Sequence, residues 1–509
     1  MPFPARTLKL QGALGSLFIA TALVSPLTLP SSATAGPEDN SVVWASHVLP
    51  RVLDARIHRR QVEQSVFLQI YDALLDFDGD LTYRPRLAES WEQVDPLTWR
   101  FHLREGVRFH NGEPFNAEAA AFSIQQYAEL DPPYLYIPNW APAWPPTAEV
   151  EDEYTVVVRT PAPLPNLPRL MMRIGMLPPM ATLEPGYADK PIGTGAFKVE
   201  SWEQGGSIDL SANEDYWDGA PKIDHLQIIS ISSAAARVAA LQAGEVDFIW
   251  EAPLDRLTDL EKDFQVIQVD NPQSNNLIAF NNLAVDSPIA DTRVRQALQM
   301  TFEGQEIIDG LFEGFASEGL GPVPSAAYGA YNEAGYPGRD FDAARALLVE
   351  AGYGDGFDLT LIAQPGSFTN LTSMVEYLQS QMAEIGVTLK YEELDQGQMS
   401  EREPTATWDL RTDGTAASTG EASYYYNTAK RNFSVDCPTC DQLLEAAQQA
   451  GDTPEREQLM TDAMHAWWGT TPWLWSFETP LVYAAAPKLQ GVELIPNNWT
   501  LFRNATWSQ

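Results

Sequence analysis

The chain has 509 residues, enough for two or three domains, and 44% of them are hydrophobic, enough to fill sizeable cores. Its 69 acidic against 32 basic side chains leave a net charge of −37, which repels phosphate backbones and anionic lipid and argues against nucleic-acid binding. Arg6 and Lys9 precede an apolar run that reaches Leu29 and closes in Ala33-Thr34-Ala35-Gly36. A positive start, an apolar middle and an Ala-x-Ala end predict a secretory signal peptide cleaved near Ala35. Ser25, Pro26 and Pro30 interrupt the run, against a spanning helix of ~20 apolar residues. No cysteine at the cut supports a lipid anchor. Taking residues 1–35 from 509 leaves 474, and losing two bases and no acid takes the charge from −37 to −39.

Residues 98–109 read as a hairpin. Trp99, Phe101 and Leu103 alternate with Arg100, His102 and Arg104, the period of a half-buried strand, and Glu105-Gly106 supplies a turn. Asn111-Gly112 supplies another, and Asn116 is placed to cap a helix from Ala117 to about Leu130. Two βαβ units are predicted. The first runs through a strand at 223–231, a helix at 234–243 stopped by Gly244, and a strand at 246–250. The second has a strand at 357–362, a helix at 371–385 ended by Gly386, and a strand at 387–394. Strands joined through a helix pair in parallel. Asp342 is expected to cap a helix at 343–351, and Thr453 with Pro454 opens one that runs to Trp468. The pattern is α/β throughout, with two separate mixed sheets.

Catalytic and metal signatures are absent from the string. His47, His58, His102, His110, His225 and His465 include no His-x-x-x-His pair, and there is no G-x-S-x-G elbow or Walker A run. Gly193-Thr194-Gly195 lacks the third glycine of a dinucleotide fingerprint and reads as a turn. Cys437-Pro438-Thr439-Cys440 allows a local disulfide or free thiols on one side, and a redox dithiol or half a zinc site on the other. A zinc site lacks two further ligands and a redox site lacks a clear preceding strand, so the structural alternatives are preferred.

An ordered set of segments carries a family resemblance. It comprises Tyr71-Asp72-Ala73-Leu74-Leu75, Pro85-Arg86-Leu87-Ala88-Glu89-Ser90-Trp91, residues 101–115 ending in Asn111-Gly112-Glu113-Pro114-Phe115, Gly193-Thr194-Gly195-Ala196-Phe197 and Asn213-Glu214-Asp215-Tyr216-Trp217. Leu241-Gln242-Ala243-Gly244-Glu245-Val246-Asp247, residues 291–298 and residues 347–353 complete it. In this order they resemble the family 5 extracellular solute-binding proteins, the dipeptide-, oligopeptide- and nickel-binding type. The resemblance implies a type II bilobal fold, with two mixed sheets flanked by helices around a ligand cleft. Lobe I would hold 36–277 plus 480–509, with an extra subdomain at about 60–190, and lobe II would hold 278–479. It implies a monomeric periplasmic protein, without catalytic residues, metal or cofactor. The protein would capture a small solute, a short peptide first, by hinge closure. It would deliver that solute to the permease and ATPase of an ABC importer. An exported hydrolase and a peptide-holding chaperone are the alternatives.

For the ligand site, the resemblance points to Trp408-Asp409-Leu410-Arg411-Thr412-Asp413-Gly414 and on to Tyr424. Dipeptide binders of the family place a Gly-Trp-x-x-Asp-x-x-Asp-Pro stretch here, giving an aromatic wall and a carboxylate for the peptide amine. This chain has Thr415 for the Trp, Ser418 for the first Asp and Glu421-Ala422 for Asp-Pro, leaving Asp413 or Glu421 to substitute. The histidine of the nickel-binding relatives has no counterpart between His225 and His465, which disfavours a nickel chelate. Arg173 lies where an arginine of those relatives reaches the ligand, and an internal ion pair is its alternative. Trp44 is expected to end a first strand near the cleft, with packing as its alternative. The expected contact set is therefore Trp44, Arg173, Trp408, Arg411, Asp413 and Tyr424.

Overall fold

The computed structural model describes residues 36–57, 61–77, 82–130, 145–269, 274–333, 335–365, 370–416, 420–495 and 498–509. The expected leader at 1–35, His58 and Ser418 lie outside the described residues. Two mixed sheets organise the rest. A seven-stranded sheet runs in the order Gln265–Val269, Leu481–Ala485, Phe248–Ile249, Ser41–Ser46, His225–Ser230, Ser207–Ala212, Phe197–Trp202. A six-stranded sheet runs Ser317–Glu318, Trp473–Glu478, Ser274–Phe280, Leu410–Ala416, Phe357–Ala363, Val387–Glu393. The chain leaves the first sheet after Val269, enters the second at Ser274, and returns through Thr479 and Pro480 alone. A separate four-stranded antiparallel sheet spans Ala88–Asp95, Thr98–Leu103, Thr155–Arg159 and Thr147–Asp152.

Local signals predict the helices well. Ser233 caps Ala234–Ala243 and Gly244 closes it at φ 71°. Asn116 accepts from the Ala119 amide to start Ala117–Ala128, and Thr453 does the same for Arg456 at Pro454–Trp468. One cap is displaced. Asp340, not Asp342, accepts from the Ala343 amide, so the helix is Phe341–Ala351. Asp342 sits inside the first turn and pairs with Arg345 at 2.9 Å.

Strand partners differ more. In the second βαβ unit Phe357–Ala363 pairs directly and in parallel with Val387–Glu393. In the first, His225–Ser230 and Phe248–Ile249 both run parallel to Ser41–Ser46, which inserts between them. That first strand is buried along its whole length, which suits it to the sheet centre. The 98–109 hairpin is also corrected. Thr98–Leu103 is a strand, but it pairs with Ala88–Asp95 and Thr155–Arg159. Residues 107–115 form no strand; they turn back on themselves around Asn111-Gly112 through the bridge between Arg108 and Pro114 and the bonds from the Phe109 amide to the Glu113 carbonyl and from the Phe115 amide to the Val107 carbonyl.

The buried apolar clusters respect the division between sheets. Two draw their buried residues only from 42–260 and 482–505, and two only from 277–477. One polar group inside the first set is thermodynamically costly. Asp247 accepts from the Val43 amide at 2.8 Å, but burial pushes its carboxyl up to about 6. A raised carboxyl disfavours the folded ionised state, so stability falls as pH rises from the unfolded value of about 4 through 6. Asp247→Asn keeps an acceptor for Val43. Denaturation across a pH series is expected to show the variant about 2 kcal/mol more stable at pH 8 and unchanged at pH 4.

Candidate functional site

Most of the family-like segments converge on one buried carboxylate. Asp72 follows the helix Gln61–Ile70 and accepts from Tyr216 Oη at 2.9 Å, Trp217 Nε1 at 2.9 Å, Thr194 Oγ1 at 3.1 Å and Arg86 Nε at 3.1 Å. Arg86 also donates to Tyr216 and, at 2.6 Å, to Asp218, and lies 4.5 Å from the Trp217 ring. Gly193 and Gly195 pass so close to the preceding helix end that a Cβ on either would stand 2.1 or 2.5 Å from Ile70 backbone atoms. His110 closes the same region. It donates from Nε2 to the Gly195 carbonyl at 2.9 Å and accepts at Nδ1 from the Gly193 amide at 3.3 Å. Burial lowers its pKa to about 4, which keeps this neutral tautomer at neutral pH. These motifs form a structural knot.

The place where the two halves meet carries a buried polar cluster, beside partly buried apolar contacts from Leu254, Phe315 and Ala326. Glu421 is 1% exposed and directly precedes the helix Ala422–Phe433. Arg456 Nη2 donates to its two oxygens at 2.7 and 2.8 Å. From the other half, Asn166 Nδ2 donates to Oε2 at 2.8 Å, and Arg169 Nε stands 4.0 Å from Oε1. Burial opposes the charge on Arg456, but Glu421 raises its pKa in balance. Arg169, in the middle of the short helix Leu167–Met171, donates to Tyr83 Oη at 2.8 Å. Its guanidinium lies 5.1 Å from the Tyr83 ring, 5.7 Å from Phe77 and 5.7 Å from Tyr328. Burial pushes the Tyr83 phenol up to about 12. Nearby, the Asp452 amide donates to Gln93 Oε1 at 3.3 Å, another bond between the halves.

The sequence-expected contact residues are distributed as follows. Trp44 is fully buried in the central strand of the seven-stranded sheet, its ring 5.4 Å from Phe502. Arg173 is buried just past Leu167–Met171. Trp408 is buried and donates from Nε1 to the Arg402 carbonyl at 3.0 Å. Arg411 pairs with Glu403 at 3.1 Å and with Asp413, and lies 4.5 Å from Phe433 and 5.7 Å from Trp408. Asp413 also accepts from the Gly414 amide at 2.8 Å. Tyr424 is half-buried one turn past Glu421, its ring 5.8 Å from Tyr425. Trp408, Arg411 and Asp413 are therefore gathered in one place, while Trp44 belongs to the other half.

Asn166, Arg169, Tyr328 and Arg456 were not singled out by the sequence reading. Arg456 carries a readable signal. It falls on the stripe of Met460, Ala463, Met464 and Trp467 on the buried face of its helix, and a charge on an apolar stripe needs a partner.

Cys437 and Cys440 are joined by a disulfide. Cys437 caps the helix Pro438–Gln449, and the segment before it follows a helix, not a strand. Both residues are buried, 5% and 0% exposed. A loop this short removes little unfolded-state entropy, so reduction is expected to cost about 2 kcal/mol, read as a shift of the denaturation midpoint under reductant. Among the described residues no cluster of three metal-ligating side chains occurs, and no helix is long and apolar enough to cross a membrane.

Comparison with known proteins places this geometry. The glutathione-binding protein GsiB of Salmonella typhimurium is 28% identical over 524 aligned positions, covering 96% of this chain and 99% of that protein. The structure of CtaP, an ABC transporter substrate-binding protein of Listeria monocytogenes, superposes with a TM-score of 0.84 at 20% identity, covering 94% of this chain and all of the other. HbpA2 of Haemophilus parasuis gives 0.81 at 24% identity, covering 92% of this chain and all of the other. The bilobal mixed-sheet architecture expected from the resemblance is borne out. The model of the bacterial extracellular solute-binding proteins, family 5 (middle region), matches residues 82–435, more than half of the chain, and the protein belongs to that family.

Proposed function

We propose that this protein is the periplasmic solute-binding component of an ABC importer. It captures a short peptide by closing two lobes around it and delivers the peptide to a membrane permease, without chemistry of its own. The observation that carries the reading is the polar character of the junction. Among the described residues, no hydrophobic cluster draws buried residues from both sheets. The halves meet through Asn166, Arg169 and Glu421 and through Gln93 and Asp452, with the partly buried apolar side chains of Leu254, Phe315 and Ala326 packed across. Such contacts can be exchanged for water at small net cost, whereas a shared apolar core could not be opened cheaply. The chain passes between the sheets twice, between Val269 and Ser274 and at Thr479-Pro480, and the hinge lies at these passages. A lobe boundary at 277 would fall inside Ser274–Phe280, which lies wholly in the six-stranded sheet, so we place it before Ser274.

Short peptides are proposed because curated relatives similar over nearly the whole chain are named for binding glutathione, itself a tripeptide. Trp44, Arg173, Trp408, Arg411, Asp413 and Tyr424 remain the proposed contact set. Since Arg411 is already paired with both Glu403 and Asp413, it would fix ligand orientation by hydrogen bonds more than by its charge. The test is native mass spectrometry of gently purified protein. One small solute per chain, released unchanged as a peptide on denaturation, is expected. Release of a cleavage product, or of a sugar or metal chelate, would sink the peptide reading.

A further inference from the structure

Glu421 presents a buried carboxylate where the two halves meet, the natural partner for a ligand ammonium. Its charge is already taken up. Arg456 donates to both oxygens, and Asn166 and Arg169 reach the same oxygens from the opposite half. Tyr328, in the same half as Glu421, lies 5.2 Å from the Arg456 guanidinium and 5.7 Å from that of Arg169. One ring thus faces cations from both halves, a favourable arrangement at a desolvated site. The cluster pairs two arginines with Glu421 and the neighbouring Asp452, whose carboxyl is raised chiefly by burial and held back by Arg456. The balance leaves no unmatched negative charge at Glu421 for a solute to fill.

We propose that Asn166, Arg169 and Glu421 form a latch that favours the closed arrangement before solute arrives. With Glu421 matched in this way and Asp413, the other candidate anchor, paired with Arg411, the solute site does not require an N-terminal ammonium, so amine-blocked peptides are ligands equal to free ones. This rests on the solute-binding reading above. A latch raises the fraction of protein already competent to hold solute, and apparent affinity scales with that fraction. Removing its Asn166 or Arg169 arm leaves the Glu421–Arg456 pair intact and lowers apparent affinity about tenfold.

The experiment has two arms. Solution scattering compares ligand-free wild type with Asn166→Ala and Arg169→Gln. A larger radius of gyration in both variants is expected, with melting curves reporting that each remains folded. Calorimetry then titrates wild type with glutathione and with its N-acetylated form, and affinities within about threefold of each other are expected. Coincident radii for all three proteins overturn the proposal, as does any loss larger than about threefold on acetylation. Separated radii with no binding of either peptide support the latch and remove glutathione-like peptides from the solute reading instead.

Discussion

Asp72→Ala is expected to lower stability by about 3–5 kcal/mol, the range for removing one partner of a buried, hydrogen-bonded ion pair. The substitution deletes the acceptor for Arg86, Tyr216, Trp217 and Thr194 together. Arg86, Tyr216 and Thr194 cannot turn to bulk water from their buried positions without opening the knot, although Arg86 keeps Asp218 at 2.6 Å. Asp72→Asn preserves shape and one acceptor but brings an NH2 group toward donors, and recovers less than half of the loss. Thermal melts provide the reading, with a fall of roughly 10 °C in the transition of the affected lobe. A change under about 1 kcal/mol would show that the knot relaxes around the gap.

Arg456→Met carries a comparable effect through a different cost. The thioether approximates the stem volume but leaves Glu421, 1% exposed, with Asn166 at 2.8 Å and Arg169 no nearer than 4.0 Å. A buried carboxylate stripped of its bidentate cation costs about 3–5 kcal/mol at neutral pH. The double variant with Glu421→Gln removes the charge as well and recovers most of the stability, which a purely steric role for Arg456 would not allow. Chemical denaturation of the two single variants and the double variant measures this coupling.

What could be read from the string divides along physical lines. Helix Ala234–Ala243 and helix Pro454–Trp468 were legible because their ends depend on residues within four positions, Ser233 and Gly244 in one case and Thr453 with Pro454 in the other. Even there Asp340 displaced Asp342, since two acids in one turn offer the same oxygen and only the backbone angle selects between them. Strand partnership was less legible. The insertion of Ser41–Ser46 between His225–Ser230 and Phe248–Ile249 depends on residues some 180 to 200 positions away, beyond any local period.

The site shows the same limit. Asp72 gathers Arg86, Thr194 and Tyr216 from 14, 122 and 144 positions away, so each motif alone looked like a turn or a packing residue. Arg411 and Asp413 were singled out as a pair of ligand contacts, and their alternate spacing along one strand also lets them bind each other. Glu421 was noted only as a possible amine anchor. Its partners Asn166 and Arg169, on the opposite half, could not be paired with it from sequence.

The central claim is reversible capture of a solute that leaves the protein unaltered. Titration calorimetry of the purified protein against short peptides, with chromatography of the recovered solute, tests it most directly. A single site per chain with micromolar or tighter affinity, about −8 kcal/mol or better, and full recovery of intact peptide is the predicted result. Steady loss of the peptide, or no heat with any peptide or with solute released from the native protein, would contradict it.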